Sequence, residues 1–161
     1  MEWMFLFVAL LLVAGILIPL GVRWCFKSAP VVYQQQAALL TPSERLFYGA
    51  LLQAIDSDTV VFSKVRVADL LKPADGLSRS QWQTAFNKVS AKHVDFVLCD
   101  SGSLAVKMLI ELDDRSHQQK VRISRDEFLN SACQSAKLML IRVKAQSAYR
   151  VEDVRAQIYD R

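Results

Sequence analysis

What the chain has little of narrows it first. Five glycines and four prolines in 161 residues are too few for a long flexible linker or a low-complexity tract. No internal repeat runs through it, which sets aside solenoids and propellers. The three cysteines, Cys25, Cys99 and Cys133, are widely separated and have no C-x-x-C spacing. That excludes a zinc ribbon and a disulfide framework and suits a reducing compartment. Cys99 and Cys133 read as small core residues. A strong charge of one sign is also missing. The net charge is +4, and it falls to +3 once residues 1–27, with Glu2, Arg23 and Lys27, are set aside. A surplus that small permits nucleic-acid binding but does not demand it.

With 52% apolar and 22% charged residues, the chain is a folding sequence, not a disordered one. Its length suits one domain and a short appendage. The appendage is the charge-free run MFLFVALLLVAGILIPLGV, residues 4–22. As a helix it would extend roughly 28 Å, near the thickness of a bilayer core. A signal peptide fits less well, because Met1-Glu2-Trp3 lacks a basic region and no small-x-small cleavage site follows. Trp3 and Trp24 bracket the run, and Arg23 and Lys27 lie on its C-terminal side only. The expectation is a single-pass anchor in the inner (cytoplasmic) membrane, with the N-terminus outside and the following domain cytoplasmic. The organisation expected is a transmembrane anchor over residues 1–27, a juxtamembrane connector over 28–40 and one domain over 41–161.

Within that domain Thr41-Pro42-Ser43-Glu44 is a capping box, opening a helix to about Ile55. A β-branched run predicts a strand over residues 59–67. A helical turn over 68–71, a loop over 72–80 and a short helix over 81–88 follow, with Trp82 and Phe86 facing inward. After a central hairpin, Ser124-Arg125-Asp126-Glu127 reads as a second capping box, opening a helix to about Ala136. A strand over 137–144 and a short helix over 151–158 complete an α/β domain, a mixed sheet flanked by helices.

The hairpin, residues 93–117, carries the chemistry. Two apolar runs flank Asp100-Ser101-Gly102-Ser103, which is strong turn chemistry. Alternation puts His93, Asp95 and Val97 on one face of the first strand and Glu111 and Asp113 on one face of the second. Pairing then brings Asp95 within about two residues of Glu111. Three carboxylates in an apolar sheet repel one another unless a positive charge lies among them, and a hard divalent cation is the simplest one. His93 reads as a strand-edge residue that packs structurally.

The motifs HVDFVLCD and IELDDRSH, at this separation and behind a threonine/proline-to-glutamate helix start, resemble the bacterial domain of unknown function 2726 (DUF2726) over roughly residues 39–145. That family is similar to the very-short-patch-repair branch of the restriction-endonuclease-like, PD-(D/E)XK, superfamily. The resemblance implies a restriction-endonuclease-like mixed central sheet, here preceded by one transmembrane helix. It implies that Asp95 is a metal ligand and that Glu111 and Asp113 hold the positions of the second carboxylate and the variable third residue. It further implies that Glu44 can hold a metal-bound water and that His117 can act as general base. Asp113 stands where the usual lysine belongs, and Lys107, in phase with Glu111, is a candidate relocated lysine.

The expected function is a membrane-anchored, Mg²⁺-dependent nuclease hydrolysing phosphodiester bonds in DNA, with Mg²⁺ or another divalent cation on Asp95, Glu111 and Asp113. Its partners would be nucleic acid and, through residues 4–22, the membrane. Arg115 and Lys120 would steady phosphate oxygens, although Asp114 and Arg115 read more simply as a solvated surface pair. The alternative is a catalytically inactive nuclease-fold module that binds nucleic acid or a protein partner.

Overall fold

The structure is a computed structural model that describes residues 1–25, 30–113 and 119–160, with side-chain surroundings at 1–13, 15, 30–113 and 127–160. The chain divides into two units, Met1–Ala37 and Ala38–Arg161. The first holds helix α1 (Glu2–Cys25). Here the expected membrane anchor is corrected: among the described residues no helix is long and apolar enough to cross a membrane. The single-pass topology, the inner-membrane address and the outward N-terminus have no support once that span is lost, and neither has the cytoplasmic placement inferred from them.

The second unit is a four-stranded sheet with helices on both faces. Its elements are α2 (Pro42–Ala54), β1 (Thr59–Arg66), α3 (Val67–Leu70), α4 (Arg79–Ser90), β2 (His93–Asp100), β3 (Val106–Asp113), α5 (Gln119–Ser135), β4 (Leu140–Lys144) and α6 (Val151–Tyr159). The sheet order is β1-β2-β3-β4. The first three strands are antiparallel, and β4 joins parallel to β3 after the α5 crossover. The mixed sheet expected from the sequence is present.

Strand alternation divides the core. Phe96, Leu98, Met108, Ile110, Leu112, Ile141 and Val143 meet Phe47, Ala50, Leu51 and Ala54 of α2 and Val154 and Ile158 of α6. The Phe47 ring lies 5.5 Å from Phe96 and 5.1 Å from Tyr149, centroid to centroid. On the opposite face Val97, Cys99 and Leu109 pack with Val89 of α4 and with Leu129 and Cys133 of α5.

Both hairpin and first cap form as the sequence predicts. Asp100 Oδ1 accepts hydrogen bonds from the Gly102 and Ser103 N–H groups and the Ser103 hydroxyl, closing the turn. Thr41 Oγ1 accepts the Glu44 N–H, and Glu44 Oε2 accepts the Thr41 N–H. Three local expectations are corrected. Helix α5 starts at Gln119, so Ser124 lies inside it and not at its N-terminus; the residues before Ser124 include none of the breakers that would delay a helix. Strand β4 starts at Leu140, because Lys137 takes a left-handed φ of 55° that ends α5, and the Leu138 N–H returns to Cys133 O. Trp82 is not turned inward: α4 begins at Arg79 under its own Ser78 capping box, and Trp82, 40% exposed, stacks on Phe86 at 5.0 Å.

Candidate functional site

The acids sit where β2 and β3 come apart. Their ladder runs Leu98↔Met108, Val97↔Leu109, Phe96↔Ile110, and one further step would set Asp95 against Glu111. There Asp95 takes the Leu112 N–H with Oδ2 at 2.9 Å, so a side-chain carboxylate satisfies a backbone donor of the next strand. Its other oxygen, Oδ1, accepts from Lys64 Nζ at 2.9 Å. The same ammonium donates to Glu44 Oε1 at 2.6 Å. Glu44, Lys64 and Asp95 thus form one ion triad built from α2, β1 and β2. Glu44 is both the capping-box glutamate and a member of the triad.

Lys64 reaches both acids through an unusual backbone. It has φ 56° in the middle of β1, between the pairs Ser63↔Phe96 and Val65↔Val94. A left-handed residue without a glycine costs roughly 1–2 kcal/mol, and inside a strand it persists only where the surroundings require it. Burial pushes the Glu44 carboxyl up, but the Lys64 ammonium and the Thr41 N–H outweigh this and hold it below the ordinary value. For Lys64, burial pushes down, and the bonds to Glu44 and Asp95 win, so the ammonium is held above its ordinary value.

Glu111 is 8% exposed and lies in register with Arg142 of the parallel neighbour β4. Arg142 Nη1 contacts Asp113 Oδ1 at 3.1 Å. Beneath them, burial raises the Cys133 thiol, with Glu111 adding to the effect and Arg142 opposing it. Each expected acid therefore has a cation at hand, Lys64 on one side and Arg142 on the other. Among the described residues no three His, Cys, Asp or Glu side chains group to hold a metal ion. His117, like Asp114 and Arg115, lies outside the described residues, and so does the side chain of Lys120.

Lys107 is not the relocated lysine. Its Nζ is bound at the turn end of the hairpin, 3.0 Å from Asp58 Oδ2 and 3.7 Å from Asp100 Oδ2. Sequence reasoning overlooked Lys64 and Arg142. Their only trace is a single cation inside each of the apolar runs VVFSKV and LMLIRV. His93, read as a packing residue, is exposed instead. It lines a cavity of about 340 Å³ with Lys64, Ala91, Lys92 and Asp95, because the start of β2 lies at the open end of the sheet.

No curated protein and no solved structure matches this chain. One family model does, over residues 36–161, and its description is "Protein of unknown function (DUF2726)". With that match covering all of the sheet and its helices, the chain belongs to the DUF2726 family.

Proposed function

We propose that this protein hydrolyses phosphodiester bonds in nucleic acid, DNA being the first substrate to try, as a restriction-endonuclease-like enzyme. The observation that carries the reading is the Glu44–Lys64–Asp95 triad at the parting of β2 and β3, held together by a strained lysine. Strain of this kind collects at functional sites. The carboxylates of Asp95 and Glu111, on adjacent strands, suit Mg²⁺, which takes one or two protein carboxylates and fills its shell with water and substrate oxygens. Asp113 is the third acid of the set and is engaged with Arg142. When bound, a divalent cation supplies Lewis acidity at the phosphate and a more acidic water.

The chain's own groups do the rest. Lys64 keeps Glu44 ionised and holds both Glu44 and Asp95 in position. Glu44 orients the attacking water from the helix side. Arg142, in register with Glu111, holds Asp113 in place. His117, four residues beyond Asp113, takes the proton; that role rests on the resemblance to the repair-endonuclease branch. The test is the full chain with supercoiled plasmid and Mg²⁺. Nicking is expected, with a loss of at least 100-fold in Asp95→Asn and in Glu111→Gln.

A second reading is a catalytically inactive nuclease-fold module that binds nucleic acid or a protein partner. It is favoured by one observation: Lys64 already neutralises Glu44 and Asp95, so these acids have a structural reason to coexist. No cleavage of any DNA or RNA form, with binding retained, would select it.

A further inference from the structure

A groove of about 570 Å³ lies between α4 and α5, and neither the triad nor the hairpin accounts for it. Its floor is apolar, formed by Leu71, Leu77, Val89 and Phe128, and small side chains on α5 leave it open. Among the described residues the only charged ones on its wall are Lys72 and Lys88. Both are exposed at the surface, and Lys72 has only a 4.0 Å contact with Asp75.

The 340 Å³ cavity beside Asp95 is a neighbour of this groove. Val89 lines the groove and Ala91 the cavity, two residues apart at the end of α4. The Lys92 ammonium, on the wall of the cavity, lies 5.2 Å from the centre of the Phe128 ring, on the wall of the groove. The groove, a depression with an apolar and aromatic floor, thus has Lys88 and Lys72 on its wall and Lys92 beside its Phe128 ring. Among the described residues no acid lines the groove, and Asp95 is the only acid on the wall of the neighbouring cavity.

From this we infer that the depression binds single-stranded nucleic acid, with phosphates on Lys92 and Lys88 and unstacked bases against Phe128 and the apolar floor. The inference rests on the nucleic-acid reading of the site and names the form of the substrate. The argument is charge and shape together. Cations without an opposing acid among the described residues of the groove suit a polyanion. An apolar floor with an aromatic ring suits bases that have left the stack, whereas a duplex keeps its bases inside and shows phosphates only.

The experiment is fluorescence anisotropy of the full chain with fluorescein-labelled oligothymidylate and with a duplex of equal length, both in EDTA. Single strand is expected to bind at least tenfold more tightly than duplex. Lys88→Glu with Lys92→Glu is expected to weaken single-strand binding tenfold or more and to flatten its dependence on salt. Lys107→Glu, at the far end of the hairpin, leaves binding as it was. Phe128→Leu, which keeps the apolar packing, is expected to cost several-fold. Equal or tighter duplex binding overturns the inference, and so does a double variant within twofold of wild type. Displacement of the strand by polyglutamate at equal charge concentration would assign the groove to an acidic peptide and also overturn it. Because binding is read without metal, the two proposals fail separately. Lysine-dependent strand binding without cleavage removes only the nuclease reading, and cleavage with binding indifferent to Lys88 and Lys92 removes only this one.

Discussion

Replacing Lys64 with methionine removes the ammonium that joins α2 to the sheet while keeping most of the side chain's volume. Glu44 and Asp95 are left without it, their side chains only 13% and 17% exposed, and Lys64 itself is 29% exposed. Exposed ion pairs contribute about 0–1 kcal/mol each, and hydrogen bonds to charged groups about 1.5–3 kcal/mol when well shielded. Partial exposure places the two contacts between these limits, so the loss is about 2 kcal/mol in all. For a unit of this size that lowers Tm by roughly 5–10 °C. The pH dependence identifies the cause. The Glu44 carboxyl is held below its ordinary 4.5, so its contribution is complete above that value and disappears as the pH falls through the folded-state pKa. Lys64 is held above its ordinary 10.5, so its contribution is complete below that value and disappears as the pH rises past the folded-state pKa. The gap between wild type and Lys64→Met is therefore widest across the neutral range and closes toward pH ~3. Urea unfolding of both proteins at pH 7 and at pH ~3 measures it. A gap of equal size at the two pH values would refute the electrostatic account, and so would a gap below about 0.5 kcal/mol at pH 7.

Other substitutions separate backbone from charge. Lys64→Gly should be more stable than Lys64→Ala by about 0.5–1 kcal/mol, the reverse of the usual order within a strand, because φ 56° suits glycine; thermal melts decide it. Thr41→Ala should cost about 1 kcal/mol through the lost cap and also loosen Glu44, so cleavage should fall with stability. Phe47→Ala, which opens a void against Phe96 and Tyr149, should cost about 3–5 kcal/mol by chemical denaturation. Lys107→Ala should leave cleavage within twofold of wild type, since Lys107 serves only the turn end of the hairpin.

Local chemistry made much of the domain readable. The Thr41 box and the Asp100 turn are short-range signals, and each forms where the residues put it, whereas the alternation expected for β2 breaks at its start, where Val94 packs with Val97 and Cys99. Signals that depended on neighbours failed. Ser124 has the residues of a capping box, yet the helix is already under way there. Lys107 has the right phase on β3, but phase says nothing about which end of a strand holds the site. Trp82 has helical spacing for burial and stacks at the surface instead. The charge-free run in α1 reads as a span by composition, but among the described residues no helix meets the length and apolarity that a crossing needs.

The sequence by itself determined that the strands carrying Asp95 and Glu111 would pair, because a hairpin with a fixed turn and a period of two leaves little freedom in register. It also determined that Glu44 would close a cap, since that bond spans three residues. Only the tertiary structure decided what those acids face. Lys64 reaches them across 20 and 31 positions of chain through a left-handed backbone that no local propensity favours. Arg142 comes beside Glu111 only because the α5 crossover lays β4 parallel to β3. Long-range pairing of charge has no period in the sequence, so the cations that complete the site became visible only when the strands were set side by side.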